Sequence, residues 1–357
     1  MKIEQIEIFP LRLPYKKPLI TATNRFTVAN GLVIRAVSDD GVEGYGYTDP
    51  FPRTGESEES VRSAVEKFIK PVLLGRDPWE LARIRQEINQ RLALNPRAKS
   101  AVQTALLDLL ARSMKVPLFV LLGGLVREEI KIIRMVSLGD PEAMAEEALG
   151  LIQRGFAALK LKISGDLELD FQRISTVRKT VGDEVFIKVD ANEAYDSKSA
   201  IDLAKRMVDV GVEVFEQPVP RQQKEALREV KDDSPINIEA DQSVRSVEDA
   251  YQLIRDGAVD SINTGIQKVG GIIEARKIAE LCELAGVQCA LSNTGGSMLG
   301  DAVALQLAAS ASGVSSLCEI GEFEAITGDP FTGLEVRGGV LRVPREVGLG
   351  VKLAGQL

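Results

Sequence analysis

The chain has 357 residues, 45% hydrophobic and 27% charged, an ordinary globular composition at a length that admits one large barrel or two domains. A net charge of −8 and a pI near 5.1 argue against nucleic acid or an anionic membrane as the main partner. Histidine is absent, which excludes Ser-His-Asp and Cys-His pairs and histidine-ligated metals and leaves acid–base work to Lys, Asp, Glu, Tyr or Cys.

Residues 1–125 read as an α+β capping domain. Strand patterns (IEQIEIFPLRL, GLVIRAVSD, VEGYGYTD) precede helical patterns over Ser57–Lys70, Pro78–Ala93 and Lys99–Met114. The opening segment lacks the apolar core of a signal peptide, and no run of about 18 apolar residues follows, so no bilayer span is expected. Cys282, Cys289 and Cys318 are too scattered for a disulfide framework or zinc knuckle; reduced thiols and a cytoplasmic location are expected.

Residues 126–322 change rhythm. Short apolar runs (KIIRMVSL, FAALKLK, VFIKVD, VEVFE, INIEA, VDSIN, VQCALS, SSLCEI) alternate with amphipathic helices, which predicts a parallel barrel. Little room for a helix remains after the eighth strand, so the fold class is α/β, a (β/α)7β TIM-like barrel. Residues 323–357, with GDPFTG and GGVLRV, are expected to return to the capping domain and cover the barrel mouth.

Lys162, Asp190, Glu216, Asp241 and Lys268 follow successive strand runs at intervals of 28, 26, 25 and 27 residues, one strand-plus-helix unit each. Such positions line the C-terminal rim of a barrel, where active sites form. Three carboxylates on neighbouring strands repel unless a cation neutralises them, and oxygen-only ligation favours Mg²⁺ and admits Mn²⁺. A rim acid can alternatively cap the following helix. Lys160 and Lys162, at i and i+2, point to one side of their strand, where crowding is expected to depress one of the two amines. Gly270-Gly271 is read as close helix packing.

The set K-x-K at 160–162, V-D-A-N at 189–192, E-Q-P at 216–218, A-D at 240–241 and K-x-G-G at 268–271 resembles the enolase superfamily, specifically its muconate-lactonizing-enzyme subgroup. The resemblance implies Asp190, Glu216 and Asp241 as Mg²⁺ ligands. It also implies Lys162 and Lys268 as an opposed acid/base pair, with Lys160 tuning Lys162 and stabilising an enolate. The substrate is then a small-molecule carboxylate that loses its α proton. The first expectation is a racemase or epimerase of an N-substituted amino acid, with muconate-type cycloisomerisation or β-elimination as alternatives; a non-catalytic metal–carboxylate-binding barrel is the reading from another class. Dimers or octamers are implied. Two features depart from relatives: Gln242 stands where many have Glu, and the eighth strand reads Glu319-Ile320-Gly321 rather than Asp-x-Asp. Asn192, Gln242, Glu319, Arg53 and Thr294 are candidate substrate or supporting residues. Selectivity is expected near Thr21–Phe26, Tyr45–Arg53 and the last two strand ends.

Overall fold

The computed structural model describes residues 1–51, 55–292 and 296–357. Three antiparallel strands, β1 (Ile3–Ile20), β2 (Arg25–Ser38) and β3 (Glu43–Thr48), form the cap sheet in the order β1-β2-β3. β1 runs beyond the predicted Leu13 to Ile20, with a register shift between Pro14 and Leu19, where Pro14 and Pro18 cannot donate to a ladder. The predicted cap helices appear as Glu58–Leu73 (interrupted by a π turn), Pro78–Arg91 and Pro96–Ser113.

The helix Pro96–Ser113 is buried along most of its length because it lies between the cap sheet and the barrel. β3 rests directly on it: a Cβ at Gly46 would meet Ala101 O at 1.9 Å, and one at Gly44 would meet Ala105 O at 2.2 Å. Asn95 gives this helix no side-chain cap, and the buried Glu56 accepts from Arg97 N at 3.1 Å instead.

Seven strands pair in parallel, each with the next: β4 (Glu129–Val136), β5 (Ala158–Lys162), β6 (Phe186–Asp190), β7 (Val214–Glu216), β8 (Asn237–Ala240), β9 (Ser261–Gly265) and β10 (Gln288–Ser292). β11 (Leu317–Cys318) pairs with β4, and a bridge between Ser292 and Glu319 closes the ring of eight. Only a short 3₁₀ turn, Glu322–Ala325, follows β11, as a (β/α)7β barrel requires. One hydrophobic core lies between the barrel strands and their surrounding helices, and a second lies between the cap sheet and the cap helices.

The tail meets the cap at several points, among them the Tyr15–Ile326 bridge, the packing of Phe331 on Tyr45 and Leu349 N donating to Asp108. Between these contacts the hairpin Val336–Arg342 pairs antiparallel with Glu129–Lys131, at the N-terminal end of β4. The tail therefore covers the mouth only in its first part. Among the described residues no helix is long and apolar enough to cross a membrane, and all three cysteines are buried and unpaired.

Candidate active site

The strand register explains why the charged residues converge. Lys162 lies beside Asp190, Asp190 beside Glu216, Glu216 beside Glu239, and Glu239 beside Ser261. Strand tilt and shear carry this row obliquely around the barrel, so Asp241 lies one step above the row, just beyond the end of β8. None of the rim acids caps a helix; Asp196 and Ser246 cap the helices after β6 and β8, and Gln223 precedes the helix after β7.

Asp190 accepts from Lys162 and lies 3.0 Å from Lys160 Nζ. Asn192 holds the pair: its N–H donates to Asp190 Oδ1 at 2.8 Å, its Nδ2 donates to Oδ2 at 3.1 Å, and its Oδ1 accepts from Lys162 at 3.2 Å. Across the ring, Lys268 Nζ donates to Asp241 Oδ1 and to Asp241 O, both at 2.5 Å. Gln217 fixes the Asp241 loop, its Oε1 accepting from Asp241 N at 3.1 Å and Ser243 N at 3.0 Å. Asn192, Glu193 and Gln217 all adopt left-handed backbone (φ 46°, 74° and 37°), strain of the kind that gathers at functional rims.

Beneath this rim lies a layer the sequence reading missed. Lys188 and Glu239 sit two residues before Asp190 and Asp241, so the alternation that turned Lys160 inward also turns them inward. Lys188 pairs with Glu239, with Glu319 at 2.7 Å and with Glu216 at 3.3 Å. Lys160 reaches Glu319 at 2.6 Å and Glu216 at 2.7 Å. Glu319 is therefore held inside the barrel by two ammoniums and by Asn263 Nδ2 at 2.8 Å.

Burial alone would lower the Lys160 amine, but Asp190, Glu216 and Glu319 outweigh it and hold it well above its ordinary value. The expected depression is thus reversed at Lys160, because carboxylates outnumber amines around it. Burial would raise Asp190 and Glu319, yet Lys160 with Lys162 keeps the first below the usual carboxylate range, and Lys160 with Lys188 keeps the second below it. Glu216 goes the other way: burial, then the charges of Asp190 and Glu319, push it well above that range.

Five carboxylates (Asp190, Glu216, Glu239, Asp241, Glu319) thus meet four ammoniums (Lys160, Lys162, Lys188, Lys268), leaving one negative charge in excess. An oxygen-only donor set with surplus negative charge and a crowded, upshifted Glu216 fits a hard divalent cation. The tightest acid cluster among the described residues, however, is Glu216, Glu239 and Glu319, with one oxygen from each within 4.8 Å of the others. Of the expected trio, Asp190 and Glu216 share the Lys160 ammonium, whereas Asp241 pairs with Lys268.

Residues 4–123 match the mandelate racemase/muconate lactonizing enzyme N-terminal domain, and residues 143–357 match the enolase C-terminal domain-like family. The chain belongs to the mandelate racemase/muconate lactonizing enzyme family of the enolase superfamily. It is 33% identical to an L-Ala-D/L-Glu epimerase of Bacillus subtilis over 98% of this chain and 97% of that protein. The substrate-liganded structure of the B. subtilis enzyme superposes with a TM-score of 0.95, covering 98% of this chain and 99% of that one. A hydrophobic dipeptide epimerase of Enterococcus faecalis is 32% identical over 81% of each chain. The E. faecalis dipeptide epimerase solved with Mg and L-Leu-L-Tyr gives a TM-score of 0.94 at 28% identity, over 98% and 99% of the two chains. A chloromuconate cycloisomerase of Pseudomonas sp. is 33% identical over 99% of this chain and 97% of that protein.

As in other barrel enzymes, the site opens at the C-terminal end of the strands. A cavity of about 420 Å³ is lined there by Lys160, Lys162, Asp190, Asp241, Lys268 and Glu319, with Asn192 and Gln242 on its wall. Glu216 is fully buried and lies below the lining. Gln242 Oε1 is buried in the wall and has no hydrogen-bond partner among the described residues. The cap supplies the roof from Tyr15, Leu19, Thr21, Phe26 and Val28, with Phe26 and Phe51 packed at 5.7 Å between ring centroids. Of the expected stretch 45–53, Asp49–Phe51 reach the cavity, whereas Tyr45 turns away to pack on Phe331. Arg53 and Thr294 lie outside the described residues. Gly271 confirms close packing rather than a phosphate cradle: its φ is 138°, and a Cβ there would meet Gln103 of the cap at 2.4 Å.

Proposed function

We propose that the chain is a divalent-cation-dependent racemase or epimerase of an N-substituted amino acid, such as a dipeptide, an N-acyl amino acid or a proline derivative. One observation carries this reading. Lys162 on β5 and Lys268 beyond β9 enter the same cavity from strands four places apart in a ring of eight, so a substrate between them meets an amine on each face.

Asp190, Glu216 and Asp241 would hold the cation, for which Mg²⁺ is the choice that suits oxygen ligands. When bound, it supplies positive charge that stabilises the electron density moved onto the substrate carboxylate by deprotonation. Lys160, kept protonated by its carboxylate neighbours, adds a fixed ammonium on the same side. The neutral amine of one rim lysine takes the α proton, and the ammonium of the other returns a proton to the opposite face. Which lysine starts neutral decides which stereoisomer turns over. Asn192 and Gln217 keep these groups at fixed positions, and the apolar roof excludes water.

Charge balance favours this reading over a muconate cycloisomerase. With one rim lysine neutral, a divalent cation balances the five carboxylates and three remaining ammoniums, so one substrate carboxylate leaves a single negative charge whereas a diacid leaves two. The cycloisomerase reading draws on the single Glu319 at the eighth strand and on the chloromuconate relative. Incubation in D₂O with Mg²⁺ and a panel of dipeptides, N-acyl amino acids, proline derivatives and muconates, read by mass spectrometry, separates them. α-Deuterium is expected in the N-substituted amino acids and is expected to vanish in the Lys162→Ala/Lys268→Ala double variant. Exchange that survives the double variant, or turnover of muconate alone, would overturn the proposal.

A further inference from the structure

Lys188 has no place in the proton transfer just described. It does not line the cavity and is 1% exposed. Its ammonium lies among Glu239, Glu319 at 2.7 Å and Glu216 at 3.3 Å, contributed by three different strands or strand ends. Those three glutamates are the ones whose oxygens converge within 4.8 Å. An ammonium at the centre of three converging carboxylates occupies the place of a bound cation. Barrel interiors are ordinarily filled by Val, Ile and Leu, and an apolar filling is commonly at least as stable as a buried ion cluster. Stability therefore gives no reason for Lys188 and Glu239 to face each other here.

Their neighbours do give one. Glu216 lies between Lys188 below and Lys160 above, and Glu319 spans the same two amines with its two oxygens. We propose that Lys188 is a tethered resident cation: it fills a three-glutamate cage under the active-site floor and thereby fixes the direction in which Glu216 meets the divalent ion. This makes Lys188 a positioning residue, and it rests on the reading of Asp190, Glu216 and Asp241 as ligands. It also makes Glu319 a member of the cage rather than a receptor for a cationic substrate.

The test removes the tether and supplies a free cation. Mg²⁺ binding is measured by titration calorimetry on wild type, Lys188→Ala and Lys188→Met, in methylammonium chloride or tetramethylammonium chloride at equal ionic strength. Lys188→Ala is expected to bind Mg²⁺ about 10–100-fold more weakly, the usual effect of losing a partner behind a metal ligand. Methylammonium, which fits the vacated cage, is expected to restore the affinity of Lys188→Ala, and tetramethylammonium is not. Lys188→Met, whose side chain fills the space, is expected to respond to neither salt. Unchanged Mg²⁺ affinity in Lys188→Ala, or equal recovery in both salts, would overturn the proposal. Should Lys188→Ala not fold without added cation, the same salts are compared by recovery of the native circular dichroism spectrum. Methylammonium-selective recovery then supports the cage, while no recovery or unselective recovery overturns it. Wild type that binds no Mg²⁺ would instead count against the functional reading itself.

Discussion

Asn192 bonds the Lys162 amine directly and Gln217 acts only through the Asp241 loop, and each makes several hydrogen bonds from a left-handed backbone. Removing the Asn192 side chain frees Asp190 and Lys162 to rotate. Asn192→Ala is expected to weaken Mg²⁺ binding about tenfold while leaving the fold intact, checked by calorimetry and thermal melting. Gln217→Ala strips the acceptor from two backbone N–H groups in a buried loop and should lower stability by about 2 kcal/mol, read from urea unfolding. At this scale the rim was legible, because one charged residue per strand unit survives as a spacing. The floor was not read, although the rule that paired Lys160 with Lys162 pairs Lys188 with Asp190 and Glu239 with Asp241. Gln217 is harder to see, since a single amide does not reveal which backbone groups it will bond.

Among the elements, β3 and the helix Pro96–Ser113 meet at backbone distance, and the contact depends on Gly44 and Gly46 having no side chain. Gly46→Ala is expected to destabilise the protein by about 3 kcal/mol, since neither the strand nor the buried helix backbone can move aside; chemical denaturation measures it. All eight barrel strands follow from short apolar runs between helical patterns, because a strand buried on both faces needs continuous apolarity. Element ends were less legible. β1 continues to Ile20 through Pro14 and Pro18, whose missing N–H groups argue against a strand until β2 is present beside it. The tail hairpin seeks an unpaired edge at the start of β4, a tertiary opportunity that no local pattern encodes.

Across the molecule, cap and barrel are joined beside the chemistry. Gln267 Oε1, next to Lys268, accepts from Thr48 Oγ1 at 2.9 Å, Asp49 N at 2.8 Å and Arg97 at 3.2 Å. Gln267→Leu should loosen this joint, lowering stability by about 2 kcal/mol by denaturant titration and raising KM more than it lowers kcat. The cysteines offer a probe of opening. Burial pushes the Cys318 thiol up to about 12, and the Cys289 thiol is also raised by the neighbouring Cys282 and by burial. Cys289 and Cys318 therefore resist ionisation, and because all three cysteines are buried a disulfide reagent should label the native protein only at the rate of unfolding, then titrate three thiols in denaturant. The amines of Lys160 and Lys188 are synthesised first, and the carboxylate that bridges them lies 159 and 131 residues further on. Until Glu319 is made, the half-built barrel carries two inward ammoniums without the group that joins them. Its closure is thereby postponed until the eighth strand is made, so a chain released short of that strand would expose a charged and unsealed interior.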